Sequence, residues 1–204
     1  MGKVVPPRCG AGFRVLLLLG LILSLAGQAL PARAAGADLL ITPDGQARME
    51  GKTYRCALGR SGVRQDKREG DGATPAGSFF LREARFRADK INQPVVTRLP
   101  VQSIAPDDGW CDDPGSHQYN RPVTLPLAAS HERLWRDDDL YDLIVVVGYN
   151  DEPVVKGRGS AIFLHVAAPG FRPTAGCIAF QKSDLLEILR HLDTRSRVVI
   201  QNSR

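Results

Sequence analysis

From Leu39 onward, short apolar runs alternate with clusters of Gly, Pro, Asn and Asp, the pattern of strands joined by turns. Leu39-Leu40-Ile41-Thr42 leads into a Pro43-Asp44-Gly45 turn, then to Met49 and to the run from Lys52 to Leu58, which predicts a first hairpin. Ser78-Phe79-Phe80-Leu81-Arg82 follows a Gly-rich turn and predicts another strand. Leu143 to Val147 (LIVVV) and Ala161 to Leu164 (AIFL) are apolar throughout and short, as strands covered on both faces are. Cys177 to Phe180 and Val198 to Ile200 complete the set. One helix is well marked: Ser183 as its cap, Asp184 and Glu187 near its start, and Leu185, Ile188, Leu189 and Leu192 on one face. A second short helix is predicted from Ser130 through Leu134-Trp135. The segment between Val101 and Leu127, rich in Asp, Pro and Gly, reads as a long functional loop or lid. The fold class is mainly β, with β-sandwich-like mixed sheets and one or two short helices.

The first residues follow a different pattern. Lys3, Arg8 and Arg14 precede an eleven-residue apolar stretch from Val15 to Leu25, and Ala32-Arg33-Ala34 supplies small residues around a cleavage point. Eleven helical residues rise about 16 Å, roughly half of a ~30 Å hydrocarbon core. Residues 1–34 are therefore read as a signal peptide cleaved near Ala34, with no stable membrane span afterwards and a periplasmic or cell-wall-associated location. An uncleaved anchor is the alternative.

That reading changes what the composition means. The 204-residue chain has a formal charge of +5, which suggests an anionic partner. The leader holds Lys3, Arg8, Arg14 and Arg33 and no acid, so removing its four cations from +5 leaves +1. It also holds Cys9, leaving Cys56, Cys111 and Cys177, an odd number in an oxidising compartment.

Several chemistries are disfavoured. The Arg-rich stretch from Arg55 to Lys90 is interleaved with acids and has few aromatics, a mixed solvated face rather than a nucleic-acid surface. Gly157-Arg158-Gly159 lacks the strand and helix of a nucleotide loop. Asp137-Asp138-Asp139 lacks the spaced oxygens and final Glu of a calcium loop.

The sharper constellation lies near the C-terminal end. His165 ends an apolar strand, and Cys177 follows Gly176 at the start of the next. If those strands are neighbours the two side chains meet, and a thiol becomes a strong nucleophile when an imidazole takes its proton. Glycine before the cysteine permits a tight turn that aims main-chain amides at an oxyanion. Spacing alone favours a buried structural cysteine and a satisfied core histidine. The odd cysteine count shifts that balance, because Cys56 can pair with Cys111 and leave Cys177 free. Cys111 with Cys177 is the other pairing, and it blocks the nucleophile.

Ile162-Phe163-Leu164-His165 followed by Thr174-Ala175-Gly176-Cys177-Ile178 resembles the L,D-transpeptidase (YkuD-type) catalytic domain, with its strand-borne His and its Ser/Thr-x-Gly-Cys. Asp71-Gly72-Ala73-Thr74-Pro75-Ala76-Gly77-Ser78-Phe79 is similar to an upstream segment of that family. Gly109-Trp110-Cys111-Asp112-Asp113, Tyr119-Asn120-Arg121-Pro122, His131-Glu132-x-Leu134-Trp135 and Gly148-Tyr149-Asn150 resemble a divergent bacterial branch. The resemblance spans residues 38–202. Val166, Ala175 and Ala179 depart from it, standing where Gly, a second His and Arg or Asn are common.

The resemblance implies the YkuD-type fold, with Cys177 as nucleophile, His165 as base held by a backbone carbonyl, and Gly176 with the Cys177 amide in an oxyanion hole. It implies that the Thr174 hydroxyl supports this turn, and that Trp110, Tyr119, Asn120, Arg121 and Tyr149 are candidates for substrate contact. The implied partner is the peptidoglycan stem peptide, cross-linked by transpeptidation or trimmed by an L,D-carboxypeptidase reaction on the same residues, with no metal or organic cofactor. A non-catalytic wall-binding module is one rival. A zinc site of His117, His165, Cys111 and Cys177 is another, disfavoured by the absence of Cys-x-x-Cys or His-x-x-x-His spacing.

Overall fold

A computed structural model describes residues 1–4 and 36–202. The signal-peptide reading of residues 1–34 thus lies, apart from the first four residues, outside the described residues. Among these no helix is long and apolar enough to cross a membrane.

The domain is built from fourteen strands: β1 (Leu39–Thr42), β2 (Gln46–Met49), β3 (Lys52–Ala57), β4 (Val63–Arg64), β5 (Thr74–Pro75), β6 (Gly77–Phe86), β7 (Val101–Ser103), β8 (Asp108–Cys111), β9 (Pro122–Thr124), β10 (His131–Arg133), β11 (Leu143–Val147), β12 (Phe163–Val166), β13 (Ile178–Phe180) and β14 (Arg197–Ile200). The described helix α1 spans Lys182–Leu189, between β13 and β14. Nine strands run in the order β11-β12-β13-β3-β2-β1-β14-β6-β7, and β6 also pairs with β11, which closes eight of them into a ring. Ten-residue β6 makes this closure: Gly77 to Phe80 pair with β14, and Leu81 to Phe86 with β11. The predicted hairpin is present, with a further strand, as the antiparallel meander β1-β2-β3.

Alternation explains the continuous apolar runs. Leu143, Val145 and Val147 of β11, with Leu164 and Val166 of β12, point into the main core, against Leu39, Ile41 and α1 residues Leu185, Ile188 and Leu189. Ile144 and Val146, with Phe163, point the other way into a second cluster with Trp110, Leu134, Tyr141 and Cys177. Covered on both faces, β11 and β12 have no position for a solvated side chain, hence LIVVV and FLHV.

The cover on that second face is the three-stranded sheet β10-β8-β9, which corrects two expectations. The segment between Val101 and Leu127 is not a loop but carries β7, β8 and β9, and Ser130 to Trp135 is not helical but carries β10. These strands are three or four residues long and bounded by Asp, Pro and Gly, so their pairing partners define them, not their own periodicity. The helix begins one residue before its expected cap: Gln181 is the N-cap and makes no side-chain bond, while Ser183 lies inside the first turn. Leu192 lies beyond the helix yet is fully buried.

Candidate active site

The site forms where β12 and β13 run side by side. They pair in parallel with Leu164 opposite Ile178 and His165 opposite Ala179, so Cys177, one residue before Ile178, falls level with Phe163, two residues along the strand from the histidine and on the same face. Phe163, His165 and Cys177 all belong to the face turned away from the main core. Cys177 and His165 line one cleft of about 440 Å³, together with Thr174 and Gly176. The pairing of parallel neighbours brings together two residues twelve positions apart.

The turn before Cys177 is held by main-chain and Thr174 side-chain hydrogen bonds. Thr174 donates its N–H to Leu58 O at 2.9 Å, and its carbonyl accepts Arg60 N–H at 2.9 Å. Its hydroxyl donates to Cys177 O at 2.7 Å and accepts Gly176 N–H at 3.1 Å. Gly176 has φ +143, and a Cβ there would stand 2.8 Å from Ala73 O. The Asp71-to-Phe79 motif thereby acquires a structural role: Ala73 backs the turn before Cys177, and buried Thr74 accepts Gly59 N–H at 2.8 Å. Asp71 folds the same loop by accepting Arg68 N–H, Ala73 N–H and the Lys67 ammonium at 2.8, 2.9 and 2.8 Å. The Gly176 amide, assigned from sequence to an oxyanion hole, is bonded here to Thr174.

Cys177 carries a thiol in this environment. Cys177 Sγ donates to Ala161 O at 3.2 Å and accepts Phe163 N–H at 3.3 Å. Burial first, then the Glu132 carboxylate, push its pKa up to about 12, against smaller opposing effects of Phe163 N–H and Lys67. His165 is 6% exposed, and burial lowers its pKa to about 4, outweighing its backbone carbonyl partners. Its Nδ1 lies 2.8 Å from Val166 O. A carbonyl can only accept, so the neutral ring carries its proton on Nδ1 and Nε2 is the basic nitrogen. The cleft therefore holds an uncharged thiol and an uncharged imidazole.

The five substrate-contact candidates lie elsewhere. Asn120 accepts Trp110 Nε1 at 3.0 Å and Ala161 N–H at 3.1 Å, and donates to Tyr149 O and Asn150 O at 3.0 and 2.8 Å. All four of its hydrogen-bonding positions are thus occupied within the protein. Tyr119, 2% exposed, donates to Glu69 and accepts Gly159 N–H. The Tyr149 hydroxyl donates to Arg158 O. Arg121 is exposed and donates to Asp151 O at 3.1 Å. Trp110, Asn120, Arg121 and Tyr149 line a separate cavity of about 240 Å³.

Other residues line the main cleft, and the sequence reading did not assign them there: Arg60, Lys67, Glu132, Tyr141 and Arg172. Arg60 and Arg172 are exposed and have no ion-pair partner among the described residues. Their only sequence signal was proximity to the two motifs. Glu132 lies in the His131-to-Trp135 segment, which the sequence predicts as helical.

Among the described residues Cys56, Cys111 and Cys177 are all free and buried. Neither anticipated disulfide is formed: Cys56 is on β3 beside β13, and Cys111 on β8 in the covering sheet. His117 is exposed, and among the described residues no group of three or more His, Cys, Asp and Glu is placed to hold a metal.

Comparison with known proteins places these features in context. The family model of the L,D-transpeptidase catalytic domain (YkuD) matches residues 37–200. Among solved structures, the chain is similar to Bd1075 of Bdellovibrio bacteriovorus, at 14% identity and a TM-score of 0.43, covering 81% of this chain and 48% of that one. It is similar to Pgp2 from Campylobacter jejuni, described as a helical cell shape determining protein, at 17% and 0.42, covering 83% and 49%. It is also similar to L,D-transpeptidase 3 from Mycobacterium tuberculosis, at 13% and 0.39, covering 82% and 61%. The chain spans about half the length of the first two structures. A search of the curated proteins finds no match.

Proposed function

The chain belongs to the L,D-transpeptidase catalytic domain family, and from that premise we propose that it is an exported cysteine-dependent acyltransferase acting on peptidoglycan stem peptides. The observation that carries the reading is the neutral His165 ring, its Nδ1 on Val166 O at 2.8 Å, sharing a cleft with Cys177. In this scheme His165 Nε2 takes the thiol proton as Sγ attacks the carbonyl of the third stem residue. The Cys177 amide receives the oxyanion, since the Gly176 amide is held by Thr174. Collapse breaks the peptide bond and expels the terminal D-amino acid, whose amine takes the proton from the imidazolium.

The thioester is then resolved by an amine of a second stem. His165 takes the amine proton, the C–S bond breaks, and the thiolate recovers its proton. Water in place of the amine gives the L,D-carboxypeptidase outcome. Arg60 and Arg172 offer unpaired guanidinium groups to the substrate's carboxylates. Residues 1–34 serve as the export signal, which places residues 38–202 in the periplasm or at the wall.

Incubation of purified muropeptides carrying tetrapeptide stems with wild type and with Cys177→Ala, followed by mass spectrometry, tests this. The expected products are free D-alanine and either a third-to-third-residue cross-link or a tripeptide stem, all absent with the variant. Turnover unaffected by Cys177→Ala overturns the assignment. Binding to sacculi with no turnover by wild type makes the domain a wall-binding module.

A further inference from the structure

The segment that leads into β12 is gripped at four points. Glu69 N–H donates to Gly157 O at 2.9 Å, and Gly159 N–H donates to the Tyr119 hydroxyl at 3.0 Å. The Ser160 hydroxyl donates to Glu69 Oε2 at 2.7 Å, and the Tyr119 hydroxyl donates to that same oxygen. Ala161 N–H donates to Asn120 at 3.1 Å, and the Ala161 carbonyl accepts the Cys177 thiol at 3.2 Å. Ser160 and Tyr119 are both buried, so two enclosed hydroxyls share one carboxylate oxygen.

Glu69 lines the cleft with Cys177 and His165, and the acyl-transfer scheme does not use it. Of the other charged side chains there, Lys67 bonds Asp71, Glu132 receives the Tyr141 hydroxyl and Arg136 bonds Asp138. Among the described residues Glu69 is the one charged side chain of the cleft that is hydrogen-bonded to the segment holding the sulfur's acceptor. It belongs to the loop folded by Asp71, and four residues on the Ala73 oxygen stands behind Gly176. One loop thus meets both the turn that carries the sulfur and the segment that carries its acceptor. Ala161 has φ +51, a conformation that a residue with a Cβ leaves unless its neighbours hold it, and a rotation there swings the carbonyl away from Sγ.

We propose that Glu69 is a positioning residue for the reacting sulfur: by accepting the Ser160 and Tyr119 hydroxyls it holds Ala161 in the left-handed conformation that sets its carbonyl against Cys177 Sγ. Its carboxylate is bonded to neither the sulfur nor the imidazole and acts through the segment. This rests on the Cys177–His165 reading above. With Ala161 O on one side and Phe163 N–H on the other, the sulfur keeps one place relative to an incoming carbonyl carbon, and a misplacement of about 1 Å is enough to cost roughly 10²-fold in rate.

The test is infrared difference spectroscopy of the full chain in the S–H stretching region, where the band lost in Cys177→Ala identifies this thiol. Glu69→Ala is expected to shift that band to higher frequency as the bond to Ala161 O is lost, and to lower kcat on muropeptide about tenfold at unchanged KM. Glu69→Gln keeps an oxygen for both hydroxyls and turns its nitrogen towards the longer Gly70 N–H contact at 3.2 Å, so it is expected to restore both the band and kcat. Ser160→Ala removes one of the two bonds and no charge, and is expected to shift the band in the same direction, which decides the matter if Glu69→Ala does not fold. A band that stays in place in either alanine variant overturns the proposal, and so does a Glu69→Gln variant that behaves as Glu69→Ala. The spectrum needs no muropeptide, so absence of turnover by wild type would count against the peptidoglycan reading while the band still decides the role of Glu69.

Discussion

Asn120 and Ala161 are joined by a hydrogen bond from the Ala161 N–H to the Asn120 side-chain oxygen at 3.1 Å, and Ala161 carries on its other side the carbonyl that accepts the Cys177 thiol. Ala161 has φ +51, a left-handed conformation that costs a residue with a Cβ roughly 1 kcal/mol or more. Asn120, itself at φ +56, opposes that cost with two accepted and two donated bonds. The Cys177 thiol therefore rests on a strained residue clamped from the covering side.

Asn120→Ala removes the clamp and leaves the Trp110 and Ala161 N–H groups buried without their acceptor. Each orphaned group costs about 1–3 kcal/mol, so a loss of about 2–6 kcal/mol is expected in urea unfolding. Turnover is expected to fall with it, because the Ala161 carbonyl no longer has a fixed place beside the sulfur.

At Gly176, alanine meets two obstacles at once, φ +143 and a main-chain oxygen 2.8 Å from the new Cβ. A backbone neighbour cannot swing aside as a side chain can. Gly176→Ala is expected to displace the turn, to destabilise by about 1–3 kcal/mol, and to reduce Cys177 acylation far more than the melting temperature. A variant with wild-type turnover would show the turn to be unimportant.

Acid should act on this protein through His165. Burial lowers its folded pKa to about 4, from 6.5 for the free side chain. A depressed pKa contributes stability that is complete above the unfolded value and is lost as pH falls towards the folded one, because the unfolded chain takes up the proton first. The expected result is a stability loss between about pH 6.5 and 4 that is absent in His165→Gln, measured by denaturant melts. The acid limb of kcat/KM is expected near pH 4 for the same reason.

Asp71 titrates in the same direction. Burial opposes its ionisation, but the Lys67 ammonium and the Ala73 and Arg68 amides outweigh burial and lower its pKa. Lys67 is 4% exposed, so Asp71→Asn leaves a buried ammonium without its counter-ion, at a cost of roughly 3–5 kcal/mol near neutral pH. The difference from wild type is expected to shrink as pH falls through the lowered Asp71 pKa. A gap that is constant with pH would show the ion pair to contribute nothing.

The main sheet, and the neighbouring strands that set His165 and Cys177 in one cleft, are legible in the sequence. Runs such as LIVVV and AIFL have no period to misread, and a histidine and a cysteine each bordering an apolar run need only neighbouring strands to meet. The covering sheet was not legible, because β8, β9 and β10 are three or four residues long and are strands only by pairing with one another. Tertiary structure also decided what the polar residues do. Asn120 reads in sequence as a surface contact, but packing encloses it and occupies all its hydrogen-bonding positions. Glu132 reads as one residue of a short helix, but β10 turns it into the cleft, where its carboxylate acts on the sulfur. Local composition determined which segments extend and which residues carry reactive groups. The charge and hydrogen-bond environment of those groups depends on residues distant in sequence, and only the folded chain brings them near.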